Sequence, residues 1–135
     1  MHNNPAIGIL GAGAWGTTIA KLLSDKNSDV LLWAKEPQVK KGVEKTRINE
    51  IYLDKIKLNK SLKITNHLED LSELDILFIV VPTQYIQSTL RPLKKIIKKN
   101  CILVNCAKGI DIKSTSLISE VINKILPGNK LAIMS

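Results

Sequence analysis

Gly11, Gly13 and Gly16 stand at the spacing G-x-G-x-x-G, and Lys108-Gly109 follows a later apolar run. Glycines so spaced suit a strand-to-helix turn that cradles a pyrophosphate. Gly11 would allow the tight exit from the strand, Gly13 would let backbone approach the phosphates, and Gly16 would let the helix pack close. The N-terminus of such a helix adds unpaired N–H groups and the positive end of a dipole. The alternative for this stretch is a glycine-rich turn that binds nothing. Lys108, at the mouth of a sheet, offers a cation to an anionic or carbonyl-bearing substrate, the alternative being a solvated surface lysine.

The elements that must position these residues follow from the apolar runs. Ile7 to Leu10 reads as a buried strand and Thr17 to Leu23 as the helix after the glycines. Asp29 to Trp33 completes a βαβ unit within about thirty residues. An acid at the end of this second strand usually bonds the adenosine ribose, and Glu36 lies twenty residues past Gly16. Lys35 stands beside it and could receive a 2′-phosphate, so NAD and NADP both stay open. Pro37 opens a polar helix over Gln38 to Glu44, and residues 47–53 mix polar and apolar types without a period. A weak strand is expected at Leu62 to Thr65, a short helix at Leu68 to Ser72, and a central strand over Asp75 to Val81. Pro82 closes that strand, and Pro82 to Tyr85 is a candidate cleft wall, with Tyr85 read equally as a packing cap. A helix over Ile86 to Lys99, a strand over Cys101 to Cys106, a helix over Ser114 to Leu126 and a strand over Leu131 to Met134 complete the expectation. The fold class is α/β: one Rossmann-type domain over residues 1–135, a doubly wound parallel sheet in three αβα layers.

Composition narrows the partners. The formal net charge is +8, but the lysines are scattered and aromatics are only 4%, so no nucleic-acid platform is expected. Lys94 to Lys99 reads as a solvated helix face, or as part of a diffuse field that attracts phosphate-bearing ligands. The longest apolar run, Ile76 to Val81, is too short to span a bilayer. Met1 to Pro5 shows no leader pattern, and a cytoplasmic protein is expected. Cys101 and Cys106 should point to opposite faces and stay unbridged, as thiols of a reducing compartment. His2 and His67 lack the spacing of a metal site, and no metal is expected.

The residues resemble the bacterial-type NAD(P)-dependent sn-glycerol-3-phosphate dehydrogenases. The matching pieces are Gly11-Ala12-Gly13-Ala14-Trp15-Gly16-Thr17, Leu32-Trp33, Arg47-x-Asn49-x-x-Tyr52-Leu53, Val81-Pro82-Thr83-Gln84 and Lys108-Gly109-Ile110. The resemblance implies interconversion of sn-glycerol 3-phosphate and dihydroxyacetone phosphate, within glycerophospholipid metabolism, with hydride passing to or from nicotinamide C4. It implies that Ala14 and Trp15 contact the cofactor phosphates through the turn, that Lys35 lies by the adenosine ribose, and that Tyr52 lines the cofactor site. Lys108 would touch both cofactor and substrate. Ala14 replaces a common serine, and Glu36 stands where a second basic residue is common, which weakens an NADP preference.

Members of that family continue into an all-helical substrate domain bearing a second catalytic lysine. That domain is absent from these 135 residues, so the chain by itself is expected not to turn over. The apolar face the domain would cover is expected to be exposed, with a homodimer as a possible outcome. Two other readings remain: the first domain of a related hydroxyacid or ketoacid reductase, and a nucleotide-binding module without catalysis.

Overall fold

The computed structural model describes residues 4–26 and 29–134. His2, the first residues of the leader reading, and Asn27 and Ser28 of the first loop lie outside the described residues. Strand β1 (Ile7–Leu10) leads into helix α1 (Ala14–Ser24), then β2 (Val30–Trp33) and α2 (Pro37–Thr46). A short hairpin, β3 (Ile48–Asn49) with β4 (Leu53–Lys57), precedes β5 (Lys63–Thr65) and a 3-10 turn at Leu68–Leu71. Next come β6 (Ile76–Ile79), a 3-10 turn at Thr83–Tyr85, α3 (Ile86–Leu93) and β7 (Ile102–Asn105). A second ribbon, β8 (Ile110–Asp111) with β9 (Ser116–Leu117), leads to α4 (Ile118–Ile125) and β10 (Leu131–Ile133).

Six strands form one sheet in the order β10-β7-β6-β1-β2-β5. Every pairing in it is parallel. The chain winds outward from β1 first through β2 to β5, then returns to β6 on its other side. The strand order therefore reverses at β1, and a ligand crevice opens there, outside the carboxyl ends. Successive residues alternate between the two faces. Ile9, Val30, Leu32 and Cys106 pack with Ile19 and Ala20 of α1 and Val39 and Val43 of α2. Leu10, Leu77, Ile79, Leu103 and Cys101 pack with Ile86, Leu90 and Leu93 of α3 and Ile118 and Ile122 of α4. The architecture is the expected three-layer Rossmann-type fold. The cysteines sit on opposite faces as free, buried thiols, and burial pushes Cys101 up to about 11.

Two helix ends need correction, and one stretch without an expected element is ordered. Residues 48–57 form a hairpin. Arg47 caps α2 in the left-handed region (φ 61°), its N–H bonding Val43 O. Its guanidinium then holds the carbonyls of Asn59 at 2.5 Å and Leu62 at 2.6 Å. Helix α3 ends at Leu93, not Lys99. Pro92 has no N–H to give, and Lys94 and Lys95 instead donate to the carbonyls three residues back, at 3.2 and 3.4 Å. Lys98 consequently leaves any helix face and bonds Asp75 Oδ1 at 3.0 Å. Helix α4 begins at Ile118, not Ser114, because the Asp111 carboxylate captures Ser114 through its N–H (3.1 Å) and hydroxyl (2.6 Å). Among the described residues no helix is long and apolar enough to cross a membrane. No group of three or more His, Cys, Asp or Glu among them could hold a metal ion.

Two glycines of this fold respond oppositely to a methyl group. A Cβ at Gly16 would lie 1.8 Å from Gly11 O, whereas one at Gly42, inside α2, meets nothing within 4 Å. Gly16→Ala is expected to cost about 3 kcal/mol or more. Gly42→Ala is expected to add about 0.5–1 kcal/mol through lost unfolded-state freedom. Urea denaturation of both variants checks the pair.

Candidate dinucleotide-binding cleft

The carboxyl ends of β1, β2 and β6 open into a cleft of about 540 Å³. Gly11, Gly13, Ala14, Trp15 and Gly16 form its floor, Lys35, Glu36 and Tyr52 one wall, and Pro82 and Tyr85 the other. The structure thus brings together every cofactor-site residue expected from sequence except Lys108. Thr89 and Val39, which sequence reasoning did not single out, also line it.

The floor is built by close backbone approach. Gly11 has φ +123°, and a Cβ there would lie 2.9 Å from Val80 O. Gly13, the cap of α1, is different: a Cβ on it would meet no protein atom within 4 Å. The protein's own packing does not demand a glycine at this position, and the space above it is open. No side chain caps α1, and no acid occupies its first turn. The N–H groups of Ala14, Trp15 and Gly16 have no intrahelical acceptor at this end. An open cradle over an uncapped helix N-terminus fits a pyrophosphate, the group a dinucleotide would place there.

Asn49 fixes the turn from below. Only 1% exposed, it donates through Nδ2 to Ala12 O and to Thr17 Oγ1, both at 2.9 Å. Thr17 itself donates to Ala12 O at 3.2 Å. Asn49 Oδ1 accepts from the Tyr52 N–H at 3.3 Å, so one carboxamide ties the glycine turn to the β3–β4 hairpin. No role for Asn49 is visible in sequence beyond its place in the Arg-x-Asn-x-x-Tyr-Leu stretch.

The hairpin delivers Tyr52 to the wall. Its hydroxyl donates to Glu36 Oε1 at 2.5 Å, and that bond to a carboxylate raises the Tyr52 pKa. Lys35 turns the other way, its Nζ 4.0 Å from the centre of the Tyr85 ring. Such a cation over an aromatic face is attracted by the ring quadrupole. Tyr85 is therefore a cleft wall, engaged from across the opening.

Lys108 does not line the cleft. It lies exposed on the same rim, past β7, beside Gly109 with φ +105°. The ribbon that follows it is anchored by Asp111, 7% exposed, which accepts from Ser114 and from Gln87 Nε2 at 2.8 Å. The Ser114 hydroxyl bond, with help from the Ser114 N–H and Gln87, holds the Asp111 carboxyl below its ordinary value.

A family model described as the NAD-dependent glycerol-3-phosphate dehydrogenase N-terminus matches residues 6–135. The chain belongs to that family. A glycerol-3-phosphate dehydrogenase (NAD(P)+) of Hyphomonas neptunium is 38% identical over 128 residues, covering 95% of this chain and 38% of the relative. That of Geobacter metallireducens is 39% identical over 122 residues, covering 90% and 36%. The chain therefore spans less than two-fifths of the length of these dehydrogenases. The crystal structure of glycerol-3-phosphate dehydrogenase from Coxiella burnetii superposes with a TM-score of 0.88 at 29% identity, over 96% of this chain and 40% of that one. A ketopantoate reductase from Ralstonia eutropha reaches a TM-score of 0.77 at 18% identity, which shows the shared fold alone. In this member of the family, Asn49 braces the glycine turn and Tyr52 meets the acid that follows β2.

Two measurements probe this scaffold. Asn49→Ala removes a buried amide and frees the hairpin, and is expected to cost about 1–3 kcal/mol in chemical denaturation. The second is an acid titration. The depressed Asp111 carboxyl contributes stability that is present above the unfolded value of 3.8 and lost as pH falls through its lower folded value. Amide exchange in β8 and β9 is expected to accelerate in that acid window, and to do so at higher pH in Ser114→Ala.

Proposed function

We propose that this chain is the cofactor-binding part of an enzyme that interconverts sn-glycerol 3-phosphate and dihydroxyacetone phosphate with NAD(P)(H). The observation that carries the reading is the uncapped N-terminus of α1 beneath an open position at Gly13, placed where the strand order reverses. Ala14 and Trp15 would hold the pyrophosphate through their N–H groups. Lys35, Glu36 and Tyr52 would meet the adenosine ribose, and Pro82 and Tyr85 would bound the dinucleotide opposite. When bound, the cofactor supplies the hydride donor or acceptor.

Lys108 is assigned contact with both cofactor and substrate, its ammonium donating to the substrate oxygen and balancing charge that develops there. Its exposed place on the cleft rim, on an anchored ribbon, supports this role. The proton that accompanies the hydride is assigned to the helical domain that the family resemblance implies. Ile110 and Leu117, more than half exposed, and Ile112, 90% exposed, follow Lys108 on the rim. Their apolar surface supports burial against that domain or a second copy of the chain. Free thiols at Cys101 and Cys106 fit a reducing cytoplasm, and the product fits glycerophospholipid supply. The position of Lys108 outside the cleft favours a second reading, a nucleotide-binding module without chemistry, whose mark is binding with no turnover even in the presence of the helical domain.

The test is a titration of the 135-residue chain with NADH, read from Trp15 and Trp33, both of which line the cleft. Saturable quenching is expected. Gly13→Glu, which fills the open position and adds a negative charge at the helix N-terminus, is expected to abolish it with the fold intact by circular dichroism. A folded chain that shows no saturable binding overturns the reading.

A further inference from the structure

We infer that the cleft selects NAD(H) over NADP(H), and that Tyr52 is the positioning residue that enforces the choice by holding the Glu36 carboxylate at the ribose corner. The inference rests on the dinucleotide reading above and goes beyond it, since Lys35 and Glu36 side by side leave the choice open in the sequence.

Glu36 occupies the cap of α2, yet its side chain makes no capping bond there. The shorter Asp turns back onto the helix N–H groups from that position, whereas Glu36 leaves them and faces the cleft. Here one oxygen accepts the Tyr52 hydroxyl at 2.5 Å and the other accepts Gln38 Nε2 at 3.4 Å. Both partners are neutral, and no ion pair to Glu36 is present among the described residues. The carboxylate is thus held in direction by neutral partners, with lone pairs left to accept further donors. A ribose offers such donors in its 2′- and 3′-hydroxyls, and an acid after the second strand takes them.

The adjacent cation does not neutralise this corner. Lys35 Nζ sits over Tyr85 on the opposite wall, and no Lys35–Glu36 salt bridge forms. A ribose 2′-phosphate would bring up to two negative charges against a carboxylate without a counter-ion, and like charges so placed repel strongly.

Tyr52 is what makes the corner rigid. It rises from the β3–β4 hairpin, whose turn is tied through Asn49 to the phosphate floor. The ribose acid and the pyrophosphate cradle are therefore held in one hydrogen-bonded chain: Ala12, Asn49, Tyr52, Glu36. Without the Tyr52 hydroxyl, Glu36 keeps only the long contact to Gln38 and can swing toward solvent.

The experiment measures dissociation constants for NADH and NADPH by tryptophan quenching on the 135-residue chain and on Tyr52→Phe, Glu36→Gln and Lys35→Ala. The unaltered chain is expected to bind NADH at least about tenfold tighter than NADPH, a difference of roughly 1.4 kcal/mol. Tyr52→Phe keeps the ring and is expected to shrink the ratio to about threefold or less, through weaker NADH binding with NADPH unchanged or tighter. Glu36→Gln is expected to abolish discrimination, and Lys35→Ala to leave the ratio in place. Equal or tighter NADPH binding by the unaltered chain overturns the selectivity while leaving the dinucleotide reading intact. A Tyr52→Phe chain whose two constants shift by the same factor overturns the positioning role. A folded chain that binds neither nucleotide overturns both readings.

Discussion

The backbone of this protein turns on one close approach. The carbonyl of Gly11 lies so near Gly16 that a single methyl group would come within 1.8 Å of it. Helix α1 is thereby pressed onto the end of β1, and its first N–H groups are carried over the carboxyl edge of the sheet. Thr17, fully buried just beyond, reaches back to Ala12, and Asn49 closes on both. The order of dependence runs from the missing side chain at residue 16 to the corner, from the corner to the hairpin, and from the hairpin to Tyr52. A cleft made in this way has little freedom to change shape, because its floor is backbone and its fastenings are buried hydrogen bonds.

The sheet was legible in the sequence because parallel strands buried on both faces leave uninterrupted apolar runs. Ile7 to Leu10 is β1 end to end, and Asp29 to Trp33, Asp75 to Val81 and Cys101 to Cys106 each contain the strand expected of them, trimmed at one or both ends. Residues 48–57 left no such run. Strand β3 has only two residues, and β4 is exposed along most of its length, with Asp54, Lys55 and Lys57 facing solvent. What makes them a hairpin is tertiary: the reversal at Arg47 and its grip on two distant carbonyls. The helix ends failed for local reasons. The apolar spacing of Leu93, Ile96 and Ile97 suggested helix beyond Pro92, which ends it. Ser114 was lost to a side chain three residues earlier.

The cofactor corner was equally uneven. Gly11 to Gly16, Lys35, Glu36, Pro82 and Tyr85 could be named because each follows a strand that could be named. Asn49 could not, since a buried amide announces itself only through partners distant in sequence. Charge was the least informative property. The net +8 is spread over lysines such as Lys21 and Lys40, whose pairs with Asp25 and Glu44 lie along helix surfaces. Exposed pairs of this kind contribute little. Inside the cleft, the two charges that matter are Lys35 and Glu36, drawn apart by two tyrosines.

The two margins of the sheet differ in kind. Strand β5 presents Lys63, 70% exposed at its side chain and near Asp29, and a charged edge of this sort discourages pairing with another chain. Strand β10 presents Leu131, Ala132 and Ile133, with no charge and with Ile133 69% exposed. Among the described residues no strand pairs with its outer N–H and C=O groups. Strand addition is thus discouraged at the β5 margin and left open at the β10 margin, whether to a later strand of a longer chain or to another molecule.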